Sequence, residues 1–104
     1  MEFPSDVIEE IGYGLYLAQM GDRHIHAKTL SGLGNAKIVE IRENDRSGTY
    51  RVIYTVEMDD FIFVLHAFQK KSKSGIATPK QELNIIRSRL KEAEYFYKEL
   101  KGDE

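Results

Sequence analysis

Three lysines, Lys70, Lys71 and Lys73, fall in a stretch, residues 61–81, that holds four basic side chains and no Asp or Glu. Nothing close in sequence neutralises them, so the segment suits an anion. Arg51 and His66 lie on two apolar runs just upstream. If Glu57 to Asp60 is a hairpin loop, Val56 faces Phe61 and Arg51 falls opposite His66. A two-residue loop moves the partner but keeps the parity, so Arg51 and His66 share one sheet face in either register. Cross-strand neighbours have Cβ atoms about 4.5–5.5 Å apart, close enough for a guanidinium and an imidazole to address one ligand. Cleavage of RNA by its own 2′-OH needs a base for that proton, an acid for the departing 5′ oxygen and fixed cations around phosphorus. His66 could shuttle the proton, with Arg51, Lys70, Lys71 and Lys73 holding phosphate. The lack of carboxylates in the segment argues against a two-metal nuclease, and neither a metal nor another cofactor is expected.

Each residue also has a plainer reading. A lone strand histidine is more often structural than catalytic, and a lysine run between elements is usually a solvated loop. Arg51 is harder to dismiss, because an unpaired guanidinium on an apolar strand is costly to bury. His24 and His26 have an i, i+2 spacing that could in principle ligate a metal, but the sequence offers no third ligand and the pair reads as part of a surface loop. Tyr13, Tyr16, Tyr50 and Tyr54 read as packing residues with polar tips.

The elements that must position these groups follow from periodicity. Asp6 and Glu9 form a capping-box pattern, and Val7, Ile11, Leu15 and Ala18 recur at helical spacing, predicting a helix from about Asp6 to Met20. Gly12 and Gly14 weaken it, which points to close packing against a neighbour. Residues 27–30 read as a short helical turn. Ala36–Arg42, Tyr50–Val56 and Phe61–Phe68 are rich in Ile, Val, Phe and Tyr and predict three antiparallel strands in a meander. The third is apolar on both faces, as expected of a buried central strand. Thr78, Pro79 and Gln81 predict a capped start to an amphipathic helix of about five turns carrying Leu83, Ile86, Leu90, Ala93, Tyr97 and Leu100. The expected fold is α+β: a small antiparallel meander packed against an N-terminal helix and a long C-terminal helix, in one domain over residues 1–104.

Composition sets the outer bounds. A chain of 104 residues with no cysteine has no disulfide or thiolate chemistry and is expected to rely on packing. No run is long and apolar enough to span a bilayer, and the start is acidic rather than signal-like, so a soluble cytoplasmic protein without membrane contact is expected. The net charge is −2, but it is unevenly spread: residues 1–60 carry 6 basic and 11 acidic side chains, against 4 and 0 in residues 61–81. A basic patch on an acidic body can hold phosphate locally.

The strings GYGLYLAQ (residues 12–19), YRVIY (50–54), VLHAFQKKSK (64–73) and GIATP (75–79) resemble the HigB branch of the RelE/ParE toxin superfamily, phage-derived toxin-like proteins of type II toxin–antitoxin systems. The resemblance implies a RelE-like fold and a ribonuclease that cleaves mRNA on the ribosome, neutralised by a cognate antitoxin, often of helix-turn-helix type. It matches Arg51 to the strand arginine that contacts phosphate and Lys70, Lys71 and Lys73 to the basic motif; His66 fits the histidine of the branch's strand motif. Relatives begin with a strand ahead of the Phe-Pro pair, here Phe3-Pro4, and this chain supplies none. One sheet edge is therefore expected to be open, for a partner or a second copy to pair with in a homodimer. Two other readings stay open at this point: a gyrase-inhibiting ParE-like toxin, and a non-catalytic module that binds RNA or an antitoxin.

Overall fold

The computed structural model describes residues 2–31, 33–34, 37–70 and 78–102. Helix α1 spans Ser5–Gln19, strand β1 Ala27–Leu30, β2 Lys37–Asp45, β3 Gly48–Val56, β4 Val64–Lys70, and helix α2 Lys80–Lys101. The strands form one antiparallel sheet in the order β1-β2-β3-β4, with one helix on each face. Alternation along the strands separates two cores. Val39, Ile41, Tyr50, Val52 and Tyr54 face α1 through Val7 and Ile11, whereas Ile38, Ile53, Leu65 and Phe68 face α2 through Ile86, Leu90 and Ala93. The α+β architecture with terminal helices is the expected one.

Both helices begin directly after a proline held in an extended conformation, Pro4 and Pro79 (φ −57° and −58°), and neither start has a side-chain cap. The expected capping boxes do not form. Instead the proline carbonyls accept the first helical bonds, from Ile8 N and Leu83 N, each at 3.0 Å. Thr78 is drawn away from a capping role because its hydroxyl donates to the buried Glu40 carboxylate (3.3 Å).

Two further expectations are corrected. Residues 27–30 are a strand, not a helical turn, because Ala27 to Leu30 pair with Ile41 to Ile38 along β2. The chain thus supplies a fourth strand from its middle. The apolar strand β4 is an edge strand rather than a central one. Its two-faced apolar pattern has another cause: the register slips between Ile53 and Tyr54, so that Tyr54 pairs with Val64 and Ile53 with His66. The extra residue, Leu65, turns into the same core as Phe68 three positions on, which a regular strand cannot do.

Of the two glycines within α1, only Gly14 has a packing reason. A Cβ there would come 2.4 Å from Ile41 Cδ1 and 3.4 Å from His24 Cβ, whereas one on Gly12 would meet nothing within 4 Å. Gly12→Ala should therefore stabilise the domain by about 1 kcal/mol and Gly14→Ala should show no such gain, as measured by urea unfolding. Near the C-terminal end of α2, Lys101 and then Tyr97 hydrogen-bond Asp59 and hold its carboxyl below the ordinary aspartate range. A depressed carboxyl stabilises the fold fully above its unfolded value, about 3.9, and loses that contribution as pH falls through the lower folded value. Asp59→Asn should flatten that acid limb in melting temperatures measured against pH.

Candidate functional site

Arg51 and His66 do share a face, the one covered by α2. The hairpin end takes an odd register, with Tyr54 opposite Val64, and the one-residue slip at Leu65 restores the expected parity, so Arg51 lies opposite Phe68 and His66 opposite Ile53. Both side chains meet at the Phe68 ring, with the guanidinium carbon 5.8 Å and the imidazole 5.3 Å from its centroid, the imidazole nearly parallel at 22°. Lys70 is half-buried at the end of β4 opposite Thr49, where Gln69 Nε2 donates to Ser47 O (2.7 Å) and ties the strand end to the β2–β3 turn. Lys71 and Lys73 lie outside the described residues.

The sequence reading missed the partners that organise this face. Across β2 and β3, Arg42 stands directly opposite Arg51, a like-charge pairing that by itself is destabilising. Glu40, two residues along β2 and fully buried, offsets it: Oε1 accepts from Arg42 Nε at 2.6 Å, and Oε2 lies 3.6 Å from Arg51 Nη1. At 3.6 Å the second contact is an ion pair and too long for a hydrogen bond. Arg51 is 2 % exposed, yet its Nε and Nη1 have no hydrogen-bond partner among the described residues. Burial pulls the guanidinium below its ordinary value, Glu40 opposes that shift and Arg42 adds to it. The result is a sheltered cation with donors left to satisfy, a state that an anion would relieve.

Helix α2 fixes the histidine. Arg89 Nη1 donates to Leu65 O at 3.0 Å and to His66 Nδ1 at 3.1 Å, and His66 Nε2 is 2.6 Å from Glu82 Oε1. Because a guanidinium can only donate, Nδ1 must accept, which puts the ring proton on Nε2 and directs it at Glu82. Glu82 and Arg89 are seven residues apart, two turns on one helix face. That spacing was legible in the sequence, but nothing there showed that this face would lie over His66. Glu40 also left a trace, as a lone charge inside the apolar run of β2.

A profile of the phage derived protein Gp49-like family matches residues 1–91, which include Glu40, Arg42, Arg51, His66, Glu82 and Arg89. The chain belongs to that family. The family is associated with RelE/toxin-like proteins. Searches of curated proteins and of solved structures each found no match. None of the helices among the described residues is long and apolar enough to cross a membrane.

The clamp on His66 can be measured. Ring ¹⁵N chemical shifts should show the Nε2–H tautomer in the native protein, and Arg89→Ala should remove the Nδ1 hydrogen bond. The same substitution should cost about 0.5–1.5 kcal/mol through the lost bond to Leu65 O. A native Nδ1–H tautomer would contradict the arrangement.

Proposed function

We propose that the chain is the toxin of a type II toxin–antitoxin pair and a metal-independent endoribonuclease that cleaves mRNA on the ribosome. The observation that carries this reading is the buried Arg51 guanidinium, two of whose nitrogens have no hydrogen-bond acceptor among the described residues, on the same face as a histidine whose proton position is set by Glu82 and Arg89. An RNA phosphate that reaches the guanidinium supplies the acceptors that Arg51 lacks. It also competes with His66 for Arg89. Drawn to the phosphate, Arg89 releases Nδ1, which takes the proton from the 2′-OH as that oxygen attacks phosphorus. The P–O5′ bond breaks, leaving a 2′,3′-cyclic phosphate, and the 5′ oxygen takes a proton from the basic cluster of Lys70 and Lys71. Arg51 and Lys73 hold the charge that accumulates on the phosphoryl oxygens, and Glu82 stabilises the imidazolium that forms.

A cognate antitoxin, expected to carry a helix-turn-helix domain, would neutralise the protein. β1 and β4 each have one side without a neighbouring strand among the described residues, and either edge offers backbone groups for a partner segment or a second copy.

One observation favours a second reading, a non-catalytic module that binds RNA or an antitoxin segment. Arg51 is shielded, and both nitrogens of His66 are engaged. Such a module binds RNA with steep salt dependence and leaves it intact.

Mapping of 5′ ends in cellular messages after induced expression separates the two. Wild type should arrest translation and produce new ends within translated messages. His66→Ala and Lys71→Ala should lower cleavage by about 10²–10⁴-fold. Arg51→Met, which keeps the packing on Phe68 while Glu40 retains Arg42 and Thr78, should abolish toxicity with the fold intact by circular dichroism. Intact messages under wild-type expression, or undiminished toxicity of Arg51→Met and Lys71→Ala, would rule out the ribonuclease.

A further inference from the structure

The histidine pair that lacked a third ligand in sequence acquires one in the fold. His24 and His26 flank the turn before β1, and Glu43 on β2 reaches them from the sheet. His26 Nδ1 lies 2.7 Å and His24 Nε2 4.0 Å from Glu43 Oε1, and one ligand atom from each of the three residues falls within 4.8 Å of the others. We propose that His24, His26 and Glu43 bind one divalent transition-metal ion of the zinc class, with water in the fourth position.

The spacing fits. Zinc bonds of about 2.0–2.2 Å at tetrahedral angles set neighbouring ligand atoms roughly 3.3–3.5 Å apart, and the distances of 2.7 and 4.0 Å bracket that range. Two imidazoles select zinc-like ions over magnesium or calcium, which prefer all-oxygen shells. The ligands are graded in exposure. His24 is buried beneath Gly14, with Tyr13 edge-on to its ring, Glu43 is nearly buried, and His26 is half exposed. His26 and Glu43 also line a cavity of about 410 Å³ that gives an ion a way in. Glu10 of α1 lies 2.9 Å from His24 Nε2 and adds a second carboxylate beside the two rings.

Protons stand where the metal would go. The backbone N–H of His26 donates to His24 Nδ1 at 3.0 Å, which places the His24 ring proton on Nε2, toward Glu10. Ligation through Nε2 needs that proton on Nδ1, so the metal replaces the Glu10 contact and the His26 amide turns away. The amide belongs to the exposed turn at residues 25–26. Once bound, the ion ties the α1–β1 connection to β2. Glu43 lies on the α1 side of the sheet, opposite Arg51 and His66, so the metal takes no part in the phosphate chemistry and the two readings stand or fall separately.

Calorimetric titration of the chelator-stripped full chain with Zn²⁺ tests the site, together with ¹H–¹⁵N spectra of the backbone and imidazoles. One equivalent should bind, the melting temperature should rise with free Zn²⁺, the His24 ring proton should move from Nε2 to Nδ1, and the His26 amide signal should shift. His26→Ala and Glu43→Gln should weaken binding by more than the about 10–100-fold that loss of an outer-shell partner costs. His66→Ala should leave it unchanged, and Mg²⁺ should not saturate the site. His26 is half exposed, so its substitution tests ligation without emptying the core. Absence of a saturable equivalent of Zn²⁺, full affinity in His26→Ala, or loss of binding in His66→Ala would overturn the proposal.

Discussion

A fully buried carboxylate, Glu40, holds two arginines that face each other across the central strands. Without it, Arg42 and Arg51 would oppose each other at close range on a covered sheet face. Such an arrangement is weak evidence of net stability, since the cost of desolvating buried charges can exceed the return from their attraction. Its consequence is specificity of position. The carboxylate shares its oxygens between Arg42, Arg51 and the Thr78 hydroxyl, so it couples β2, β3 and the start of α2 at one point. The shortfall falls on Arg51, whose Nε and Nη1 are left without hydrogen-bond partners among the described residues.

Helix α2 then completes the face. It enters behind Pro79 without a side-chain cap, and its first and third turns hang Glu82 and Arg89 over β4. Arg89 ties Leu65 O, the carbonyl at the register slip, to the ring of His66. The irregularity in β4 thus has two effects: it brings Leu65 into the core beside Phe68, and its carbonyl anchors the guanidinium that orients the histidine. The opposite face uses the same economy of contacts, with Gly14 letting α1 settle on Ile41 and His24 filling the space beneath it.

Much of this was legible beforehand. The periods of the apolar residues locate both helices and the three longer strands, and strand parity puts Arg51 and His66 on one face whichever even register the hairpin takes. The hairpin itself takes an odd register, Tyr54 opposite Val64, which carried on regularly would set His66 opposite Val52 on the other face; the one-residue bulge at Leu65 restores the parity and puts Phe68 opposite Arg51. The short strand at Ala27–Leu30 escaped notice because four residues carry too little pattern to distinguish a turn from an edge strand; its identity comes from pairing with β2. The capping boxes were misread for a related reason. A threonine or aspartate near a proline marks a helix start, but whether its oxygen turns to the helix or to a buried carboxylate depends on what lies across the fold.

Taken alone, the amino-acid sequence determined both helices, the three longer strands and the run of basic residues after Phe68 that has no acidic neighbour in sequence. These are local properties, set by the 3.6- and 2-residue periods and by composition. Only the tertiary structure decided that Glu40 reaches both arginines, that Glu82 and Arg89 clamp His66, and that Glu43 joins two histidines seventeen and more residues away. Those contacts link residues from different elements, and a sequence records spacing along one element while the meeting of two depends on how their apolar faces pack.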